Sequence, residues 1–216
     1  MKKKLIIFDL DGVLFDTTGI VRDEMLRVYP TLTAEIMDEV LCGNFHEGME
    51  SFLANNKPIE QTKEEKQIRR QIYAEKKSRA PLFEGIKELL EKLHSAGYTI
   101  VINTSALERN CLPLLERSGV SQYFSMIASA EVSKSKVEKF TVIDKKFDVS
   151  KEATLFITDT VGDVREAEIA GIPTVAVTWG VHTKEYFLRE KFPCLKGIVD
   201  SVKELEMFID KFFRSA

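Results

Sequence analysis

The sequence predicts an α/β protein: a parallel sheet flanked by helices, with an all-helical segment inserted after the first strand. Three observations carry this. Short, continuous apolar runs recur along the 216 residues. Amphipathic stretches with helical spacing separate most of them. One interval, roughly residues 17–80, contains helical patterns and no strand pattern.

The apolar runs are Leu5–Phe8, Tyr98–Ile102, Phe124–Ala128, Ala153–Ile157 and Thr174–Thr178. Each has four or five residues and is mostly continuous rather than alternating, as in a strand buried on both faces. Between them, Glu84–Ala96 places Ile86, Leu89, Leu90 and Leu93 at helical spacing, and Gly97 stops it. Asp163–Ala170 does the same before Gly171. Strand alternating with helix implies a parallel sheet covered by helices. Within the insertion the helical patterns are Ile20–Val28, Ala34–Leu41, Glu47–Ala54 and a long polar stretch, Glu60–Arg79, punctuated by Pro30, Gly43 and Pro58. Pro81 marks the return to the core. The expected domains are therefore a core of residues 1–16 and 81–216 and a helical unit of 17–80.

Composition narrows the function. The chain is 44% hydrophobic and 30% charged, which supports a folded core. Its net charge of −3 carries no basic signature of a nucleic-acid binder. No apolar run approaches the roughly 18 residues of a membrane span. Lys2, Lys3 and Lys4 precede an apolar stretch that Asp9 and Asp11 interrupt, so no secretory signal is expected. Cys42, Cys111 and Cys194 form no C-x-x-C pair and read as buried thiols. A cytoplasmic protein is the expectation.

Chemistry gathers where the strands end. The first strand runs into Asp9-Leu10-Asp11-Gly12, two carboxylates on one face of an extended segment. Gly12 lets the backbone turn into the insertion. A second acidic pair, Asp159 and Asp163, follows another strand; either Thr160 or Asp163 is suited to cap the helix there. Four carboxylates at one sheet edge repel one another, and a hard divalent cation such as magnesium resolves the conflict. Thr104 and Ser105, after a third strand, offer hydroxyl and N–H donors to phosphate oxygens. Lys134, in Ser133-Lys134-Ser135-Lys136, offers a point cation. In a parallel sheet these strand ends share one edge, where open α/β sheets bind ligands.

These residues resemble the four motifs of the haloacid dehalogenase-like hydrolase superfamily. Asp9–Asp16 is similar to the first motif nearly in full, Thr104 to the second, Lys134 to the third, and Asp159 with Asp163 to the fourth. Pro81-Leu82-Phe83-Glu84-Gly85 and the segment from Gly171 to Gly180 resemble phosphoglycolate-phosphatase-like members. Two departures stand out. The third motif lacks the usual Lys-Pro-x-Pro, which leaves Lys136 as a rival; Lys134 is preferred because Phe140 stands six residues on. Thr158 occupies a position where many relatives have Gly.

The resemblance implies a Rossmann-like core, a helical cap and a magnesium-dependent phosphomonoester hydrolase acting on a small phosphorylated metabolite. Asp9 would be the nucleophile and Asp11 the general acid and base. Magnesium would be held by Asp9, the Asp11 backbone carbonyl, Asp159 and, directly or through its neighbours, Asp163. Retention of Asp11 separates the chain from dehalogenases and phosphonatases of this fold. A β-phosphoglucomutase-like phosphomutase and a non-catalytic binding protein are the alternatives. In the insertion, His46, within Cys42–Gly48, is a candidate substrate contact. The stretch Lys57–Arg79, with eight basic and four acidic residues, is expected to form a solvated helix face.

Overall fold

The computed structural model describes residues 3–215. Six parallel strands form one sheet: β1 (Leu5–Phe8), β2 (Thr99–Asn103), β3 (Met126–Ala128), β4 (Thr154–Thr158), β5 (Thr174–Val177) and β6 (Leu195–Val199). Their order, β3-β2-β1-β4-β5-β6, is the doubly wound Rossmann order. The first strand is central. Phe8 pairs with Ile102 on one side and Ile157 on the other, so three strands end side by side.

Successive side chains of a strand point to opposite faces, and both faces are dry. Ile6, Phe8, Ile100, Ile102, Leu155 and Ile157 enter one hydrophobic cluster. Leu5, Ile7, Val101, Phe156 and Ala176 enter the other. Helices α5 (Ile86–Ser95), α6 (Glu108–Arg117) and α10 (Val202–Ser215) are on the first face; α7 (Lys136–Phe147) and α8 (Val161–Ala170) are on the second. A short α9 (Lys184–Phe187) precedes β6.

Between β1 and α5 the chain forms four helices and no strand: α1 (Thr18–Val28), α2 (Ala34–Val40), α3 (Phe45–Asn55) and α4 (Lys63–Ser78). Local signals start them. Thr33, Asn44 and Thr62 each accept backbone N–H groups at an N-cap, and Thr62 with Glu65 completes a capping box. The expected runs correspond to the first five strands. The sixth is an addition: Lys196 and Gly197 interrupt its apolar pattern. Gly197 is needed because a Cβ there would stand 2.5 Å from the Phe208 ring of α10.

Leu155 is fully buried in β4, whereas Ile169 on α8 is 74% exposed. Leu155→Ala should cost about 2–5 kcal/mol and Ile169→Ala less than about 0.5 kcal/mol, read as shifts in the urea unfolding midpoint at unchanged slope.

Candidate active site

The sheet ladder delivers Asp9 to the edge. Its N–H still donates to the Ile157 carbonyl at 2.9 Å, so the carboxylate begins where the strand ends. Asp9 Oδ1 accepts the Leu10 N–H at 2.7 Å, and Oδ2 lies 2.9 Å from Lys136 Nζ. Gly12, at φ +75°, turns the chain. Phe15 then bridges to Leu82, and the Asp16 N–H donates to the Pro81 carbonyl. Both ends of the insertion are thus tied together beside the site. Asp11 is held through both oxygens: Thr17 Oγ1 donates to Oδ1 at 2.6 Å, and Lys77 Nζ donates to Oδ2 at 2.8 Å.

The second acidic pair sits at the end of β4. Thr160 is the N-cap of α8, accepting the Asp163 N–H, which leaves the Asp163 carboxylate free for other partners. Its Oδ2 receives Lys136 Nζ at 2.5 Å and Thr158 Oγ1 at 2.6 Å. Thr158 therefore anchors Asp163, a contribution its sequence position did not suggest. Asp159 Oδ2 accepts the Val181 N–H at 2.8 Å, while Oδ1 is buried without a hydrogen-bond partner.

Both candidate lysines line one cavity with Asp9, and they differ in burial. Lys134 is exposed, and its carbonyl accepts from the Asn44 side chain. Lys136 is the lysine that reaches the carboxylates, at 1% exposure. The reason is helical phase. Ser135 caps α7 by accepting the Glu138 N–H, so Lys136 opens the helix on the same buried face as Lys139, Phe140 and Ile143. That spacing was present in the sequence and is the signal that favours Lys136.

Thr104 is buried at the end of β2, its N–H on the Ala128 carbonyl and its Oγ1 accepting the Ala106 N–H. Thr104 and Ser105 line the same cavity as Asp9, Asp11, Lys136 and Asp159. Lys139, unremarked in the sequence, is fully buried and donates to the Thr104 carbonyl at 2.5 Å.

The inserted helices close over this edge. The Leu41 carbonyl accepts the Gly162 N–H at 3.0 Å. Gly162 is required, since a Cβ there would meet the Gly43 carbonyl oxygen at 2.0 Å. Arg165 donates to the Cys42 carbonyl, Asn44 to Glu166, and buried His182 lies between the Val161 N–H and the Asp38 carbonyl. His46 lines the cavity, and its Nε2 is buried without a partner. The polar stretch on α4 is not wholly solvated. Arg69, Tyr73 and Lys77, spaced four apart, face the cavity, and Lys77 is 3% exposed.

The electrostatics follow from burial. It pushes Asp9 well above the carboxylate range, with Lys136 opposing and Asp163 and Asp159 adding to the rise. It pushes Asp159 up to about 7, against the Val181 N–H. Burial works to raise Asp163 as well, but Lys136 and Thr158 prevail and hold it low. Two carboxylates share one buried ammonium, and Asp159 beside them keeps an orphaned oxygen, a surplus of negative charge that a divalent cation could offset. Among the described residues no group of three or more His, Cys, Asp or Glu side chains is placed to hold a metal ion. Magnesium does not need one, because it keeps several waters and uses one or two carboxylates. Asp9 and Asp159 are the carboxylates available for such a role, since Asp163 is tied to Lys136 and Thr158.

Burial and the neighbouring Lys136 pull Lys139 down to about 8. Its unfolded value is about 10.4, so between those values the unfolded chain binds the extra proton and stability rises with pH. Lys139→Met should lack this rise, seen as a loss of the difference in urea midpoint between about pH 8 and 10.

The comparisons agree with this geometry. The sequence model of the haloacid dehalogenase-like hydrolase family matches residues 6–177. A probable phosphatase, IndB, of Dickeya dadantii is 27% identical, over 94% of this chain and 92% of that protein. A phosphoglycolate phosphatase of Mesorhizobium japonicum is 26% identical, over 86% of this chain and 88% of its own. The crystal structure of a predicted phosphatase from Clostridium acetobutylicum shares the fold, with a TM-score of 0.71 at 19% identity, covering 98% of this chain and all of that one. With a sheet of Rossmann order, acidic pairs at two strand ends and a buried lysine between them, the chain belongs to the haloacid dehalogenase-like hydrolase family.

Proposed function

We propose that this phosphatase of the haloacid dehalogenase-like family hydrolyses phosphomonoesters of small phosphorylated metabolites through a covalent intermediate on Asp9. The observation that carries the reading is the pairing of two carboxylates with different surroundings beside one cavity. Asp9 is buried against Lys136, and Asp11 is half-buried and fixed by Thr17 and Lys77.

Asp9 attacks phosphorus, the bond to the ester oxygen breaks, and Asp11 gives its proton to the departing alcohol. Asp11 then takes a proton from water, which attacks the phosphorus and releases inorganic phosphate with Asp9 restored. Thr17 and Lys77 hold the Asp11 carboxylate in one orientation for both transfers. Lys136 and the donors around Thr104 and Ser105 offset phosphoryl charge. Magnesium, held by Asp9, Asp159 and the Asp11 carbonyl, would supply further charge neutralisation at the phosphoryl oxygens. The helices of 17–80 act as a cap that keeps bulk water out.

Purified protein should release phosphate from a panel of phosphorylated metabolites only with magnesium, and Asp9→Asn should abolish the release. Equal release by Asp9→Asn would exclude the nucleophile. The two lysines are separable in the same assay. Lys136→Met should lower kcat/KM by about 100- to 1,000-fold and, by leaving buried carboxylates uncompensated, cost about 3–5 kcal/mol of stability. Lys134→Met should change stability by less than about 0.5 kcal/mol.

A further inference from the structure

The cavity beside Asp9 measures about 540 Å³, inside the range of roughly 300–1,000 Å³ typical of sites for drug-sized ligands. A two- or three-carbon acid would leave most of it unfilled. On the side of the inserted helices an apolar strip lines it, Val21 and Met25 from α1, Met37 and Leu41 from α2 and its end, and Phe45 from α3, alongside polar side chains of α1, α3 and α4. Leu107, before α6, faces them.

The basic side chains along this cavity are largely neutralised by the protein itself. Arg22 pairs with Asp38 at 2.6 Å, Arg69 with Glu24, Lys77 with Asp11, and Lys136 with Asp9 and Asp163. Arg70 and Lys134 line the cavity from exposed positions, where water competes for them. What the interior leaves unmatched is small and local: Thr18 Oγ1, Arg22 Nε and His46 Nε2 are buried without partners. Burial and the nearby Lys139 and Lys134 lower the basicity of His46, which suits it to a neutral hydrogen bond. Such atoms match a hydroxyl or carbonyl group rather than a second phosphate.

Resting on the phosphatase reading, we infer that the leaving group is a bulky, mainly apolar alcohol carrying one hydrogen-bonding group. The substrate class is therefore the phosphate monoester of a branched aliphatic or aromatic alcohol. Its apolar body fills the wall of Val21, Met25, Met37, Leu41, Phe45 and Leu107, and its polar group meets His46 or Arg22.

The test is a series of esters with leaving alcohols of similar basicity. Methyl, propyl, isopentyl and benzyl phosphate are compared with phosphoglycolate and glucose 6-phosphate, using wild type and magnesium. The value of kcat/KM should rise about fourfold per added methylene, and isopentyl phosphate should exceed both anionic and sugar esters by about tenfold or more. Met25→Gln and Phe45→Ser should each lower the isopentyl-to-methyl ratio by about tenfold; if either misfolds, the wild-type series decides. A flat series, or phosphoglycolate or glucose 6-phosphate in the lead, overturns this inference and leaves the phosphatase reading standing. No phosphate release from any ester, with wild type indistinguishable from Asp9→Asn, overturns the phosphatase reading and the inference with it.

Discussion

Two buried carboxylates meet one buried ammonium where β1 and β4 end, with a third carboxylate beside them, and most of the site is arranged around that meeting. Lys136 Nζ contacts both Asp9 and Asp163. Burial alone would drive the lysine towards its neutral form, but the two carboxylates prevail and hold it charged. Isolated, any of these charges would be costly in a dry interior. Together they fix one another: Lys136 sets the Asp9 carboxylate, Thr158 sets Asp163, and Glu166 accepts the Lys136 N–H at 2.7 Å to anchor the start of α7. The residual negative charge, with the orphaned Asp159 oxygen, is what a divalent ion would complete.

The rest of the site comes from the far side. Helices α1 to α4 do more than cover the sheet edge, because α4 reaches in with Lys77 and holds Asp11. The loop after α2 meets the N-terminus of α8, where the Gly162 N–H finds the Leu41 carbonyl. An otherwise unsatisfied helix N–H is thus matched by the insertion. Chemistry at the strand ends and closure by the helices are therefore mechanically joined. Among the described residues, no helix is long and apolar enough to cross a membrane.

Much of this was legible in the residues. Continuous apolar runs marked five strands, because strands buried on both faces show no alternation. Asp9, Asp11, Asp159 and Asp163 declared themselves by following such runs. The edge strand β6 did not, because it is only partly buried and carries Lys196 and Gly197. Between Lys134 and Lys136 the motif spacing favours the first and the helical phase the second, because Ser135 is the N-cap of α7. Lys77 was unreadable for a different reason. Its helix is polar throughout, and only docking against α6 and the site buries one of its lysines. Ion pairs between distant segments, such as Arg22 with Asp38 or Arg69 with Glu24, likewise leave no periodic trace.

Asp159 is wedged between two residues without side chains. A Cβ at Gly12 would stand 2.0 Å from its Oδ2, and one at Gly180 would stand 2.2 Å from the same atom. Neither glycine belongs to a strand of the sheet or to the hydrophobic clusters that hold it together. A glycine codon is one nucleotide from several larger residues. A single mutation at either position therefore forces Asp159, or the turn at Gly12, to shift at the edge of the sheet rather than inside either cluster. In this architecture the position of one buried carboxylate hangs on two codons that contribute nothing to the core.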